Sequence, residues 1–275
     1  MVDGCPRVAR TRDHRAPRYA LRMIPLIVAA ACGGSEVDRA AGTEESAPPA
    51  VTAGSADAAP PNTLSEAERD GGWRLLFDGE TLDGWRPFKG EGAPAGWAVQ
   101  DGTLARVGPG GDIITEEEFE DFELSLEWRV APGGNSGIFY LVSEDADYVW
   151  EAAPEMQVLD DAGHPDGQSE LTSAGSNFAL HPAPRGVVRP AGEWNEARVV
   201  VRDGHVEHWL NGRRVVEYEL GSEDWERRVA ASKFAEWERY GGTRAGHIGL
   251  QDHGDPVWYR DIKVRPLADT GDPSG

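Results

Sequence analysis

The stretch Ala197–Leu220, ARVVVRDGHVEHWLNGRRVVEYEL, decides the architecture. Three short apolar-rich runs are separated by Asp203-Gly204 and Asn211-Gly212. Asp-Gly and Asn-Gly readily take the two positive φ angles of a two-residue hairpin loop, so the stretch reads as a meander of hairpins. The same grammar recurs on both sides. FELSLEWRV (Phe122–Val130) alternates apolar and polar residues, with Phe122, Leu124, Leu126, Trp128 and Val130 on one face. Asp101-Gly102 marks a hairpin after Trp97-Ala98-Val99, and HIGLQ (His247–Gln251) and VWYRDIKV (Val257–Val264) form two strands around the turn DHGD. Helical periodicity is confined to SEDWERRVAASKF (Ser222–Phe234). Many short alternating strands with Gly-rich turns predict an all-β sandwich of two antiparallel sheets.

The chain has 275 residues and a formal net charge of −21. That balance excludes nucleic acid as a partner, because a phosphate backbone selects a Lys/Arg surface. Residues 1–31 run the other way, with six arginines against two aspartates. They end in the short apolar run Met23–Ala31, the pattern of an export signal and far below the ~20 residues of a membrane-spanning helix. The following Cys32-Gly-Gly-Ser resembles a bacterial lipoprotein signal, with Ala29 where such signals favour Leu. It predicts lipid attachment at Cys32 and an exported protein anchored to a membrane, facing periplasm or cell surface. Met23 offers a second start site.

Cys5 and Cys32 are the only cysteines, so a chain cleaved before Cys32 has no internal disulfide. Residues 32–65, including SAPPAVTAGSADAAPPNT, lack aromatic residues and read as a disordered tether. All ten tryptophans lie between Trp73 and Trp258, which places one folded domain at 66–268 and a flexible tail at 269–275.

Within that domain, Pro154–His164 reads PEMQVLDDAGH. On a strand, Met156 and Val158 share one face while Glu155 and Gln157 share the other. A retaining glycosidase needs two carboxylates about 5 Å apart, and Glu-x-Gln-x-Leu offers only one on this strand.

The stretches LFDGETLDGW, GGNSGIFY, PEMQVLDDAGH, GEWNEARVVV, HVEHWLNG, SKFAEW and GHIGLQDHGDPVWYRDIKVRP, spread from about Leu75 to Leu267, resemble the bacterial 3-keto-disaccharide hydrolase family. The resemblance implies a concanavalin A-like jelly roll whose concave sheet binds carbohydrate, acting on glycosides already oxidised to a ketone at C3. It also implies that Glu155 and Gln157 lie in the sugar site. The ketone acidifies the C2 proton, so one base and one electrophile suffice for elimination of the C1 substituent, and water then adds back.

Histidine suits the base, and His253 in QDHGD and His164 in DDAGH are the candidates. His205 and His208, three apart on a strand, face opposite ways and read as structural, and His181 is a loop residue. Lys233 in SKF is the candidate electrophile. Asn135, Ser136 and Asp160 are candidate partners of sugar hydroxyls, and Tyr140, Trp150 and Trp258 offer stacking faces. Arg260 shares a face with Ile262 and Val264 by alternation, which would bury its guanidinium beside a carboxylate. A divalent cation is a candidate cofactor through Glu155, Asp252 and His253, although no compact metal motif is present; no organic cofactor is expected. The loop Thr172–Pro190 is expected to shape the pocket. An oxidoreductase acting on C3 is the expected upstream partner. The rival readings are a non-catalytic carbohydrate-binding module, a conventional glycosidase and a structural envelope protein.

Overall fold

The computed structural model describes residues 60–267. The leader, Cys32, most of the tether and the tail 269–275 lie outside the described residues. Among those described, no helix is long and apolar enough to cross a membrane. In chain order the elements are α1 (Glu66–Asp70), β1 (Arg74–Leu75), β2 (Trp85–Pro87), β3 (Trp97–Gln100), β4 (Thr103–Arg106) and β5 (Ile113–Phe119). Next come β6 (Phe122–Val130), β7 (Asn135–Val142), β8 (Glu155–Leu159), β9 (Asn195–Arg202) and β10 (His205–Leu210). The chain closes with β11 (Arg213–Glu219), α2 (Glu223–Ala230), β12 (Gly246–Leu250) and β13 (Val257–Pro266).

The strands form two antiparallel sheets packed as a jelly-roll sandwich. The larger has the order β11-β10-β9-β6-β13-β4-β3, with β1 also paired to β13; the smaller runs β2-β5-β12-β7-β8. The meander is as the turn dipeptides require: Asp203 and Gly204 have φ of 51° and 83°, and Asn211 and Gly212 have 50° and 76°. The alternating face of β6 is buried from Phe122 to Val130 and meets Ile138, Tyr140, Met156, Val158, Ile248 and Leu250 of the smaller sheet in one core.

The register of β13 departs from simple alternation. Asp261 takes φ 52° and the pairing with β6 shifts between Arg260 and Lys263, a β-bulge. One extra residue reverses the faces beyond it. Tyr259 and Ile262 therefore both enter the core, while Trp258 and Arg260 face away from it. Asn62 braces this bulge: its amide oxygen accepts the Asp261 N–H at 2.9 Å, and its side-chain NH2 donates to the Gly102 carbonyl at 2.8 Å. Asn62, within the span whose composition reads as tether, is buried.

The outer face of the smaller sheet is only partly covered. Ile114, Phe139 and Val142 pack beneath Val149 and Ala153 of the β7–β8 connection in a satellite core, with Trp150 against it. The edge strand β8 is not left bare. Gln157 N–H donates to Ser176 O at 3.0 Å, Gly175 N–H to Gln157 O at 2.8 Å and Phe178 N–H to Glu155 O at 3.0 Å. The loop after β8 thus satisfies the edge that would otherwise pair with another chain.

Candidate active site

Alternation on β8 places Met156 and Val158 in the core and turns Glu155 and Gln157 to the outer face of the smaller sheet. There they floor a cavity of about 310 Å³, with Asn135 from β7 and Gln251 and His253 following β12. Loops supply the walls: Trp150, Asp166, Phe178, Lys233 and Trp237. Asp166 sits in a single 3-10 turn, Pro165–Gln168, whose first N–H groups are capped by His164 Nδ1 accepting from Asp166 N–H at 3.2 Å.

Lys233 is positioned by an aromatic stack. Ser222 caps α2 by accepting the Trp225 N–H at 3.2 Å, and Trp225 stacks on Tyr218 at 5.3 Å and on Tyr240 at 5.8 Å. Tyr240 in turn stacks on Phe234 at 4.0 Å. Phe234 is thereby locked, and its neighbour Lys233 is aimed at the cavity. The Lys233 ammonium lies over the rings of Phe178 (4.4 Å), Phe234 (5.0 Å) and Trp150 (5.4 Å). These ring faces hold a cation without neutralising it.

Glu155 owes its place to Gly137. The two strands pair with Gly137 opposite Gln157 and Phe139 opposite Glu155. A Cβ on Gly137 would stand 2.2 Å from Glu155 Oε1 and 2.8 Å from its Cγ, so the carboxyl occupies the space a side chain would fill. Burial pushes the Glu155 carboxyl up to about 8, against the opposing pull of Lys233 and with small additions from Asp112 and Asp166. Burial likewise pulls the Lys233 ammonium down, with Glu155 and Asp166 partly restoring it. At neutral pH the site therefore holds a protonated Glu155 carboxyl close to the Lys233 side chain. The buried oxygens of Asn135 (Oδ1), Gln157 (Oε1) and Gln251 (Oε1) have no partner and line the same cavity. Unpaired buried acceptors in one cavity call for a ligand bearing several donors, as a sugar's hydroxyls do.

His253 is half exposed at the rim, with Nε2 3.5 Å from the Asn135 amide nitrogen, and its ring centre is 6.1 Å from that of His164. Asp252 anchors its turn. Arg106 Nε donates to Oδ1 at 2.6 Å, and the Gly110 and Gly111 N–H groups donate to Oδ2 at 2.9 and 3.0 Å.

Several sequence expectations are corrected by this geometry. Asp252 is engaged by Arg106 and by the Gly110 and Gly111 N–H groups and is not among the residues that line the cavity. Glu155, Asp252 and His253, all among the described residues, do not bring their ligand atoms within 4.8 Å of one another. Among the described residues, the group with ligand atoms within 4.8 Å of one another is His205, Glu207 and Glu217. It lies on the larger sheet, where Arg214 already bridges both carboxylates at 2.9 Å. Tyr140 is buried in the core, where its hydroxyl meets His208 Nε2 at 2.7 Å and Tyr218 at 2.5 Å. Ser136 also points inward and bonds Gln251 O and the Tyr259 hydroxyl, each at 2.7 Å. Asp160 accepts the Gly133 N–H at 2.7 Å and so fastens the loop before β7.

Trp258 and Arg260 belong to a cation–π ladder on the far face of the larger sheet. There Arg129 lies 4.9 Å from the rings of both Trp194 and Trp258, and Arg260 pairs with Glu127 at 2.6 Å. The loop Thr172–Pro190 does reach the cavity, through Phe178; sequence reasoning missed Asp166, Trp237 and Gln251, and with Asp166 a second carboxyl in the cavity.

The raised Glu155 carboxyl makes stability pH-dependent. Its folded-state value lies above the ordinary 4.5, so its contribution is complete below that value and lost as pH rises through about 8. Between these limits stability should fall with pH by at most ~1.4 kcal/mol per unit from this group. Glu155→Gln should flatten that slope, read as urea midpoints from pH 5 to 9 for the two proteins. Parallel slopes would contradict a neutral buried carboxyl.

Residues 72–265 match the family described as 3-keto-alpha-glucoside-1,2-lyase-like domain. A relative from Bacteroides thetaiotaomicron, named 3-keto-disaccharide hydrolase, is 36% identical over 280 aligned positions, covering 87% of this chain and 94% of its own length. Two solved structures from Parabacteroides distasonis, described as glycosyl hydrolases, share the fold. One has a TM-score of 0.71 at 34% identity, covering 76% of this chain and all of its own. The other has a TM-score of 0.59 at 28% identity, covering 71% and 99%. The extent of the family match, with a relative of such identity along nearly its whole length, shows that this chain belongs to the 3-keto-alpha-glucoside-1,2-lyase-like family.

Proposed function

We propose that the chain is a carbohydrate hydrolase that cleaves 3-keto-glycosides by elimination across C1–C2 followed by hydration. The observation that supports this most is the composition of one cavity: a carboxyl held neutral, a caged ammonium, a rim histidine and three unpaired amide oxygens. His253 takes the C2 proton, and the electron pair passes into the C3 carbonyl, where Lys233 stabilises the enolate oxygen. The enolate collapses to a C1=C2 double bond and expels the glycosidic oxygen, which Glu155 protonates. Water then adds at C1, a proton returns to C2, and the 3-keto sugar is released. Gln157, Asn135 and Gln251 accept the sugar's hydroxyl protons. The family's description as a 1,2-lyase names the elimination half, and the relative's name as a hydrolase names the sum.

The substrate's ketone requires a prior oxidation at C3, so an oxidoreductase of glycosides is the implied supplier. Export and lipid anchoring through Cys32 would place both steps outside the cytoplasm.

Asp166 in the same cavity favours one rival, a two-carboxylate glycosidase acting on unoxidised sugar. Incubation of the purified protein with 3-keto-trehalose and with trehalose separates the two. Release of free sugar from the keto form alone is expected, and release from trehalose would overturn the elimination. His253→Ala should lower kcat on the keto form by about 10²-fold, the low end for a general base because His164 stands close by. EDTA is expected to leave the rate unchanged; loss of activity would transfer the electrophile's role from Lys233 to a metal. Binding without turnover of either sugar would make this a lectin-like module.

A further inference from the structure

The segment Asp160–Asp166, DDAGHPD, carries three aspartates, and the fold treats them differently. Asp160 accepts the N–H groups of Gly133 and Ala162 at 2.7 and 3.2 Å, and Asp161 accepts that of Ala174 at 2.8 Å. Both of these carboxylates are engaged by backbone. The Asp166 carboxylate lines the cavity that holds Glu155. Beside it stands His164 Nδ1 at 3.7 Å, but that nitrogen already accepts the Asp166 N–H and so has no proton to offer.

The backbone under Asp166, by contrast, is held from several sides. Thr172 Oγ1 and Ser169 N–H donate to its carbonyl at 2.6 and 3.2 Å. Arg185 donates to the carbonyls of Gly167, at 2.8 Å, and of Gln168. A Cβ on Gly167 would stand 2.1 Å from Asp161 O, so the turn is pressed against the chain before it. The turn is fixed while its acid is left without a donor among the described residues, as a group that must act on something else requires.

The two carboxyls of the cavity also differ in access. Glu155 is 6% exposed, whereas the Asp166 side chain is 40% exposed and opens to bulk water. The elimination and the hydration ask for different groups. Elimination uses the Glu155 proton and leaves C1 as the electrophilic carbon of an unsaturated ketone. Hydration then needs a base for the incoming water. His253 holds the proton that must return to C2, and His164 Nδ1 is tied to its own turn. Glu155, now an anion, is buried on the side of the departing hydroxyl.

We infer that Asp166 is the base of the hydration half, an inference that rests on the reaction proposed above. Asp166 takes one proton from a water on the open side as the water oxygen bonds to C1. The C1=C2 electron pair moves toward C3 to re-form the enolate, and His253 returns its proton to C2. Asp166 then carries a proton in place of the one Glu155 gave up, and exchange through solvent restores both. Lyase and hydrolase thereby become two outcomes of one site, divided by one carboxylate.

The test gives 3-keto-trehalose to wild type and to Asp166→Asn, and follows free glucose, 3-keto-glucose and the near-ultraviolet absorbance of the unsaturated ketone. No hydrogen bond holds the Asp166 carboxylate, so the variant should fold. Wild type should release the two sugars in equal amounts. In the variant, glucose release should slow by no more than about tenfold, while 3-keto-glucose formation falls by about 10²-fold or more and the unsaturated ketone accumulates. Equal amounts of the two sugars from the variant would overturn the inference and leave the elimination standing. Supplying the unsaturated ketone itself decides Asp166 independently of the first half, even if wild type cleaves no 3-keto-glycoside and the proposed reaction fails. Hydration by wild type that drops about 10²-fold in Asp166→Asn upholds the base, and equal rates, or no hydration by wild type, refute it. Glu155→Gln should hydrate the same compound within about tenfold of wild type; a loss as deep as that of Asp166→Asn would give the base to Glu155 and overturn the inference.

Discussion

Glu155→Gln is expected to lower kcat on 3-keto-trehalose by about 10³-fold with little change in KM. The amide keeps the shape and a hydrogen-bond donor, so substrate still binds, but it has no proton to give the departing oxygen. Because burial holds the carboxyl at about 8, wild-type kcat should fall above that pH as the acid is lost, and the variant should show no such limb. A leaving group that needs no proton separates this role from others. On a nitrophenyl 3-keto-glucoside the loss should shrink to within about tenfold, since nitrophenolate departs unaided. An equal loss on both substrates would mean that Glu155 acts before the C1–O bond breaks, as base or binder. Lys233 matters to the outcome through its charge: its attraction lowers the carboxyl's value, but by less than burial raises it. Replacing Lys233 with Met should therefore move the alkaline limb upward as well as slow the reaction.

Much of this site was legible before any fold was known, because strands encode their faces with period two. The pairing of Glu155 with Gln157, opposite Met156 and Val158, needed nothing but alternation. The hairpin at Asn211-Gly212 needed only the dipeptide. Alternation also carried a warning about Tyr140: five residues from Asn135 on one strand, it had to face the other way. Arg260 fails for a different reason. The bulge at Asp261 is signalled by no glycine, and it is braced by Asn62, which is 199 positions away in sequence. Its effect on the face of Arg260 depends on a tertiary contact that local pattern does not carry. Asp166 and Trp237 were invisible on similar grounds, and Phe178 was foreseen only through its loop, not as a residue. They sit on loops, where spacing does not report direction, and only the packing of the β8 edge and of the Trp225–Tyr240–Phe234 stack aims them inward.

Gly137→Ala should abolish most activity while leaving the fold intact. In the middle of a strand, alanine is ordinarily favoured over glycine by roughly 0.5–1 kcal/mol, so nothing in β7's backbone asks for glycine. The space does. The added Cβ would fall 2.2 Å from Glu155 Oε1 and 2.7 Å from Cδ, and its neighbours there are side-chain atoms rather than backbone. The carboxyl can rotate away, so the strain is relieved by displacing the Glu155 side chain instead of the sheet. The thermal midpoint should stay within a few degrees of wild type, and kcat on 3-keto-trehalose should drop by at least about 10²-fold, since a misplacement of about 1 Å already costs that much. The coupling is the sharper measure. If Gly137 acts only by making room for Glu155, then Gly137→Ala added to Glu155→Gln should multiply the loss far less than it does in wild type, because the acid is already gone. Independent, fully additive losses would mean that Gly137 serves the substrate directly, with its bare Cα surface forming part of the floor on which the sugar ring lies.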